Sequence, residues 1–244
     1  MSKRTAYIVF ALAAAAFAAF AVLMEHAPDG PVRVRVDMRQ TSGYGFVHSD
    51  TIKAYVERRL ANVPPDSVPK RLSPLEKHIV RDPYVEKAVV YRRPSGEVRV
   101  ELWEEIPSFR LITDTGNYYV GLSGRMMPVR VSRGVDIPIV SGQADKDSFE
   151  PIRRILHRIE QDDFLAKQAV GLRVSRRMKN GRATYDYSID TRLGMEIRLG
   201  QADDLDVKFE NFGIIYAYLY SSGKTDAYKV VNLEFGNYVI CKKK

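Results

Sequence analysis

The sequence is poor in the residues from which covalent and metal chemistry are built. It holds one cysteine, Cys241, which excludes an internal disulfide and leaves the redox compartment unmarked. Its four histidines, His26, His48, His78 and His157, are scattered without metal-ligand spacing, so exposed or half-buried structural roles account for them. Gly43-x-Gly45 and Gly121-x-x-Gly124 lack the lysine and following helix that a phosphate loop requires. Low-complexity tracts and regular repeats are absent. Two adjacent carboxylate pairs remain. Neighbours in a strand point to opposite faces, which removes Glu104-Glu105 as an acid–base couple. Acids at a helix start suit its dipole, which explains Asp203-Asp204. Three lysines follow Cys241 and could lower its thiol pKa, but no histidine lies near it in sequence and it reads as a plain strand residue. No catalytic, cofactor-binding or metal residue is therefore assigned, and core packing explains most of the tyrosines and Trp103.

A long charge-free run occurs once, from Thr5 to Met24, directly after Met1-Ser2-Lys3-Arg4. As a helix it would reach about 30 Å, the thickness of a hydrocarbon core. Two readings stand. A retained anchor would leave residues 1–4 as a short cytoplasmic end, 5–24 as a transmembrane helix and 25–31 as a linker. A cleaved secretory signal would use the small-x-small pattern Ala19-Phe20-Ala21 after a basic start. The length favours the anchor, since a signal core runs to about 7–15 residues. Lys3 and Arg4 favour a cytoplasmic N-terminus, although Arg33, Arg35 and Arg39 lie near the other end. Ala11, Ala15 and Ala19 recur at helical spacing and would let a partner helix approach closely; a span with no partner on that face fits equally well.

Beyond the run, 45% hydrophobic and 28% charged residues describe folded protein, and about 215 residues suffice for two small domains. The excess of 38 basic over 30 acidic residues gives +8. Outside the cytoplasm nucleic acid is an improbable partner, which leaves solubility and attraction to a membrane surface.

The first domain opens with Val32–Met38, whose apolar and polar residues alternate as in a half-buried strand. A helix follows with Ile52, Tyr55, Val56 and Leu60 on one face and Ser49 or Asp50 as cap, ended by Pro64, Pro65 and Pro69. Ser73-Pro74-Leu75-Glu76 reads as a second helix start, with a hydroxyl cap, proline at the first position and a glutamate three residues on. Val85–Tyr91 and Glu97–Leu102 form a hairpin about Pro94-Ser95-Gly96. The order is β-α-α-β-β. In the second domain, short strands lie around Tyr118–Val120 and Arg125–Val129, and a helix starts near Ser148. Strands 170–174 and 183–189 join across Asn180-Gly181, a hairpin turn, and a further strand spans Met195–Leu199. A last helix is capped by Asp203 or Asp204, and Tyr228–Phe235 and Tyr238–Cys241 follow. The fold class is α+β, a sheet-rich second domain with helices packed on the sheet.

This plan resembles the bacterial cell-division family FtsQ/DivIB, whose first globular domain is a POTRA domain. Ser73-Pro74-Leu75-Glu76 leading to Pro83–Ala88 is similar to the family's step from second helix to strand. Val100–Pro107 resembles the Glu-Arg-x-Pro segment that closes the POTRA domain, with Glu105 where arginine is usual. Tyr118–Pro128 resembles the opening of the β domain, with Gly121 where aspartate is common. Ile137–Gly142 and Val231–Phe235 match further landmarks. The short N-terminal end and Val239-Ile240-Cys241-Lys242 look closer to the Bacteroidetes branch. The resemblance implies a POTRA domain over 32–107, a β domain over 108–241 and a basic tail at 242–244. It implies a non-enzymatic, single-pass inner-membrane scaffold with periplasmic domains at the division septum. Such a scaffold binds FtsB and FtsL homologues and other divisome proteins, takes no small-molecule substrate or cofactor, and helps control septal peptidoglycan synthesis. Partner strand addition would fall on Phe235, Gly236, Asn237, Tyr238, Val239 and Ile240. Without the resemblance, that segment reads as an edge strand guarded by lysines. A secreted or anchored cell-wall enzyme and a POTRA-type periplasmic chaperone are the alternative functions.

Overall fold

Val34 to Gln40 form β1, the first element in the residues that the computed structural model describes, which are 32–129, 134–236 and 238–244. The apolar run 5–24 with Ala11, Ala15 and Ala19, the linker 25–31 and Asn237 lie outside them. Among the described residues no helix is long and apolar enough to cross a membrane. The chain divides into two units between Glu104 and Glu105.

In the first unit β1 is followed by helices α1 (Ser49–Leu60) and α2 (Val68–Ile79), then β2 (Val85–Arg92) and β3 (Val98–Glu104). β3 lies in the middle, parallel to β1 and antiparallel to β2. Period-two alternation turns Val98, Val100 and Leu102 inward, where they pack with Val56, Leu60, Val68, Leu75 and Ile79 of the helices. The opposite face carries charge in register. Arg99 reaches Glu97 at 3.1 Å and Asp37 at 3.4 Å, Arg35 reaches Asp37 at 3.0 Å, and Arg39 pairs with Glu101.

Two local expectations are corrected here. Ser73-Pro74 does not start α2, which begins at Val68 with Pro69 in its first turn, where a missing N–H costs nothing. Pro74 sits inside the helix. Val68, Leu72, Leu75 and Ile79, spaced four, three and four, form one buried stripe, and burying it outweighs the single hydrogen bond that Pro74 removes. Glu76, freed from a capping role, accepts the Val90 N–H on the margin of β2 at 3.0 Å. Nor does Ser49 or Asp50 cap α1, whose N-cap residue is His48 without a side-chain bond.

The loop between β1 and α1 is held by one buried carboxylate. Glu104, 1% exposed, accepts backbone N–H groups of Ser42 at 2.7 Å, Phe46 at 2.6 Å and Val47 at 3.1 Å. Its neighbour Glu105, fully buried, does the same in the second unit, taking the Ser123 N–H at 3.1 Å and hydroxyl at 2.6 Å.

The second unit is one nine-stranded sheet in the order β12-β11-β10-β9-β8-β7-β4-β5-β6. The strands are β4 (Pro107–Thr113), β5 (Gly116–Gly121), β6 (Met126–Pro128), β7 (Ile139–Gly142), β8 (Ala169–Lys179), β9 (Arg182–Thr191), β10 (Glu196–Gly200), β11 (Tyr228–Phe235) and β12 (Tyr238–Lys243). Helix α3 (Lys146–Glu160), with the short α4 (Leu165–Gln168), carries the chain from β7 to its parallel neighbour β8. Helix α5 (Leu205–Ser221) does so from β10 to β11. Phe149, Ile152 and Ile155 of α3 and Phe209, Phe212 and Leu219 of α5 share one core with Phe109, Leu172, Ile189, Ile197 and Val231 of the sheet.

Helix α3 starts two residues before Ser148. Asp145 and Ser148 make a reciprocal capping box, and the Tyr185 hydroxyl donates to the Asp145 carboxylate at 2.5 Å. Burial and that carboxylate push the Tyr185 phenol up to about 12. Asp204 is the N-cap residue of α5, but in the left-handed region (φ 44°) and without a side-chain bond. Asp203 instead pairs with Lys208, an ammonium only 3% exposed that also donates to Gln201 O at 2.9 Å. A buried cation took the carboxylate that the helix terminus was expected to use.

Three outcomes follow for stability. Glu104→Ala strands three N–H groups and should cost about 3 kcal/mol in a urea titration, with the loop 41–48 losing hydrogen-exchange protection first. Gly142→Ala should cost about 2–4 kcal/mol, because Gly142 has φ +106° and a Cβ there would overlap the Val174 carbonyl. Hydrogen bonds from Arg35 and Arg39 hold the carboxyls of Asp37 and Glu101 below their ordinary values of 3.8 and 4.5. The unfolded chain therefore binds these protons more readily, and the associated stability is present above the ordinary values and lost as pH falls below them. The urea midpoint should drop below about pH 4.5, and less steeply in Asp37→Asn/Glu101→Gln.

Candidate functional site

An edge strand exposes on one side the N–H and C=O groups that a neighbour would otherwise take. The second sheet has two margins. β6 is three residues long and closes on Pro128, which has no N–H. β12 runs for six residues and pairs only with β11, antiparallel. Among the described residues no strand lies against its outer side. β12 does not close at Cys241 but continues through Lys242 and Lys243, which pair with Val230 and Tyr228. These two lysines thus stand on the open strand itself.

Phe235 and Tyr238 face each other across the turn, 52% and 75% exposed. Gly236 takes a left-handed conformation (φ 60°) between them, which suits a residue without Cβ. Ile240 is 53% exposed, whereas Val239 and Cys241, alternating with it, pack against the core. Of the expected contact residues the structure therefore gathers Phe235, Gly236, Tyr238, Val239 and Ile240 at one margin. Burial pushes the Cys241 thiol up, the direction opposite to the lowering that the neighbouring lysines could give.

Helix α5 flanks this margin. Asn211 donates to Gly236 O at 3.0 Å, and helical spacing sets Ile214 and Tyr218, 64% and 58% exposed, on the same flank. Sequence reasoning placed the core residues of α5 but missed this pair. The signal was there: Gly213 to Tyr220 is apolar around the whole helix, more than one buried face needs.

The groups considered for chemistry have other partners. His78 stacks on Tyr55 at 4.7 Å, and His157 meets Gln161 at 3.0 Å. Glu104 and Glu105 belong to different units and each accepts backbone N–H groups. Among the described residues no group of three His, Cys, Asp or Glu could hold a metal ion.

Comparison with known proteins adds a family. The family model described as FtsQ/DivIB, C-terminal related, matches residues 106–242, more than half of the chain and nearly the whole second unit. No curated protein matches the sequence. The family is one of membrane-associated septal proteins, generally non-enzymatic division scaffolds, and the matched span includes the open strand β12. The chain belongs to the FtsQ/DivIB family and has a role associated with cell division.

Proposed function

We propose that the protein is a non-enzymatic, single-pass scaffold of the divisome that binds FtsB and FtsL homologues by strand addition at β12. The observation that carries this reading is the free outer side of β12, bordered by Phe235, Tyr238 and Ile240. Backbone pairing supplies affinity in such a complex, and alternate side chains supply specificity. Lys242 and Lys243 oppose the docking of an identical copy and favour an acidic partner strand. Exposed Ile214 and Tyr218 offer apolar area beside the added strand. In this reading the first unit is the POTRA domain. Residues 5–24 anchor it in the inner membrane with the N-terminus cytoplasmic, and both units work in the periplasm. Docked partners connect early and late division proteins and regulate septal peptidoglycan synthesis.

The test is binding of a purified partner complex by the full chain in detergent. Val239→Pro removes a backbone donor from β12 and should weaken binding at least about tenfold. Ile240→Glu, which changes only an exposed side chain, should do so without altering the thermal unfolding midpoint. Unchanged affinity in both folded variants would refute strand addition at this edge.

A further inference from the structure

The cations of the first unit are distributed unevenly between its two faces. On the open face of the sheet Arg35, Arg39 and Arg99 all have carboxylate partners within the unit. On the helix face a groove of about 520 Å³ runs between α1 and α2, lined by Arg59, Arg71, Lys77, His78 and Arg81 with no acid among its walls. All five are exposed, and none of the arginines or Lys77 has an ion-pair partner among the described residues. Between Arg58 and Arg81 the only acids are Asp66 and Glu76, and Glu76 is turned toward Val90 on β2.

Helix termini explain part of this pattern, since Arg59, Lys77 and His78 sit in last turns, where cations suit the dipole. Arg71, the fourth residue of α2, and Arg81, beyond its end, have no such reason. Tyr55 adds an amphipathic ring to the groove, stacked with His78 at 4.7 Å and with the Arg59 guanidinium 5.4 Å from its centre. A tyrosine among unpaired cations suits a membrane interface, where phosphate and apolar chain meet.

We infer that this α1–α2 face is a contact surface for anionic phospholipid headgroups. The inference rests on the reading of residues 5–24 as a membrane anchor. Between Met24 and the described chain lie the seven residues 25–31, which reach at most about 25 Å in any conformation. The start of the first unit is therefore held within that distance of the headgroups, and individually weak phosphate contacts would act together as a multivalent surface. An acidic protein segment meeting the same charges is the competing occupant, and salt and lipid composition distinguish the two.

The test uses the full chain in lipid nanodiscs of phosphatidylcholine alone or with about 30% phosphatidylglycerol, a fraction chosen to give a negative surface potential. Both disc types carry the same small amount of nitroxide-headgroup lipid. A fluorophore is attached at Ser73→Cys, exposed on α2, in a Cys241→Ser background. Quenching should be at least about twofold stronger in the anionic discs. It should fall to the neutral level in about 0.5 M salt, where screening acts within a few ångströms. The reversal Arg71→Glu/Lys77→Glu/Arg81→Glu should do the same, with an unchanged melting midpoint showing that the unit is intact. Equal quenching in both discs, insensitive to salt and reversal, would overturn the inference, leave the anchor standing and point to an acidic protein segment. Failure of the chain to co-purify with either disc would remove the anchor, and this inference with it.

Discussion

Backbone groups inside a sheet must be paired, and the second unit is organised by how that demand is met across nine strands and left open at the last one. Two helical crossovers, through α3 and α5, place β8 beside β7 and β11 beside β10 in parallel and bury one face of the sheet under both helices. β12 returns antiparallel from β11, with Phe235 opposite Tyr238. Among the described residues no element lies against its outer side. The short β6 closes on a proline, whereas β12 keeps six residues of backbone and two exposed apolar side chains, Tyr238 and Ile240. One margin is blunted and the other is available, and that asymmetry gives the sheet a direction in which it can be extended.

Buried carboxylates fix the loops around the two sheets. Glu104 closes β3 and gathers three N–H groups of the loop before α1, while Glu105 holds the turn after β5. Glu105 and Gly121, where the resemblance to the family implies arginine and aspartate, meet in space. A Cβ at Gly121 would overlap the Glu105 side chain. With glutamate at 105, an aspartate at 121 would bring a second acid against a fully buried one, so the two departures fit together as one change.

Much of the fold was legible because it rests on local patterns. The strict alternation of Val98, Val100 and Leu102, the Asn180-Gly181 turn and the threes-and-fours spacing of Phe209, Phe212 and Leu219 each fix an element by period. β7 was not read as a strand, since four residues after Pro138 are too few to show a period. β4 was missed because it starts at Pro107, only three residues after β3 ends, and merged with the domain boundary. The false start at Ser73-Pro74 shows the limit of cap motifs, which a buried stripe such as Val68–Leu72–Leu75–Ile79 overrides. The contact margin was harder still. That β12 is outermost follows from non-local strand order; only the family resemblance pointed to Phe235–Ile240, and the local signal for Ile214 and Tyr218, more apolar residues than one buried face needs, does not say what would cover them.

Amide hydrogen exchange of β12, with and without a bound FtsB homologue, tests the central claim most directly. Strand addition predicts that the outward-facing amides among residues 238–243, fast in the free protein, become strongly protected in the complex, as would the matching amides of the partner. A tight complex in which the exchange of β12 is unchanged would contradict it.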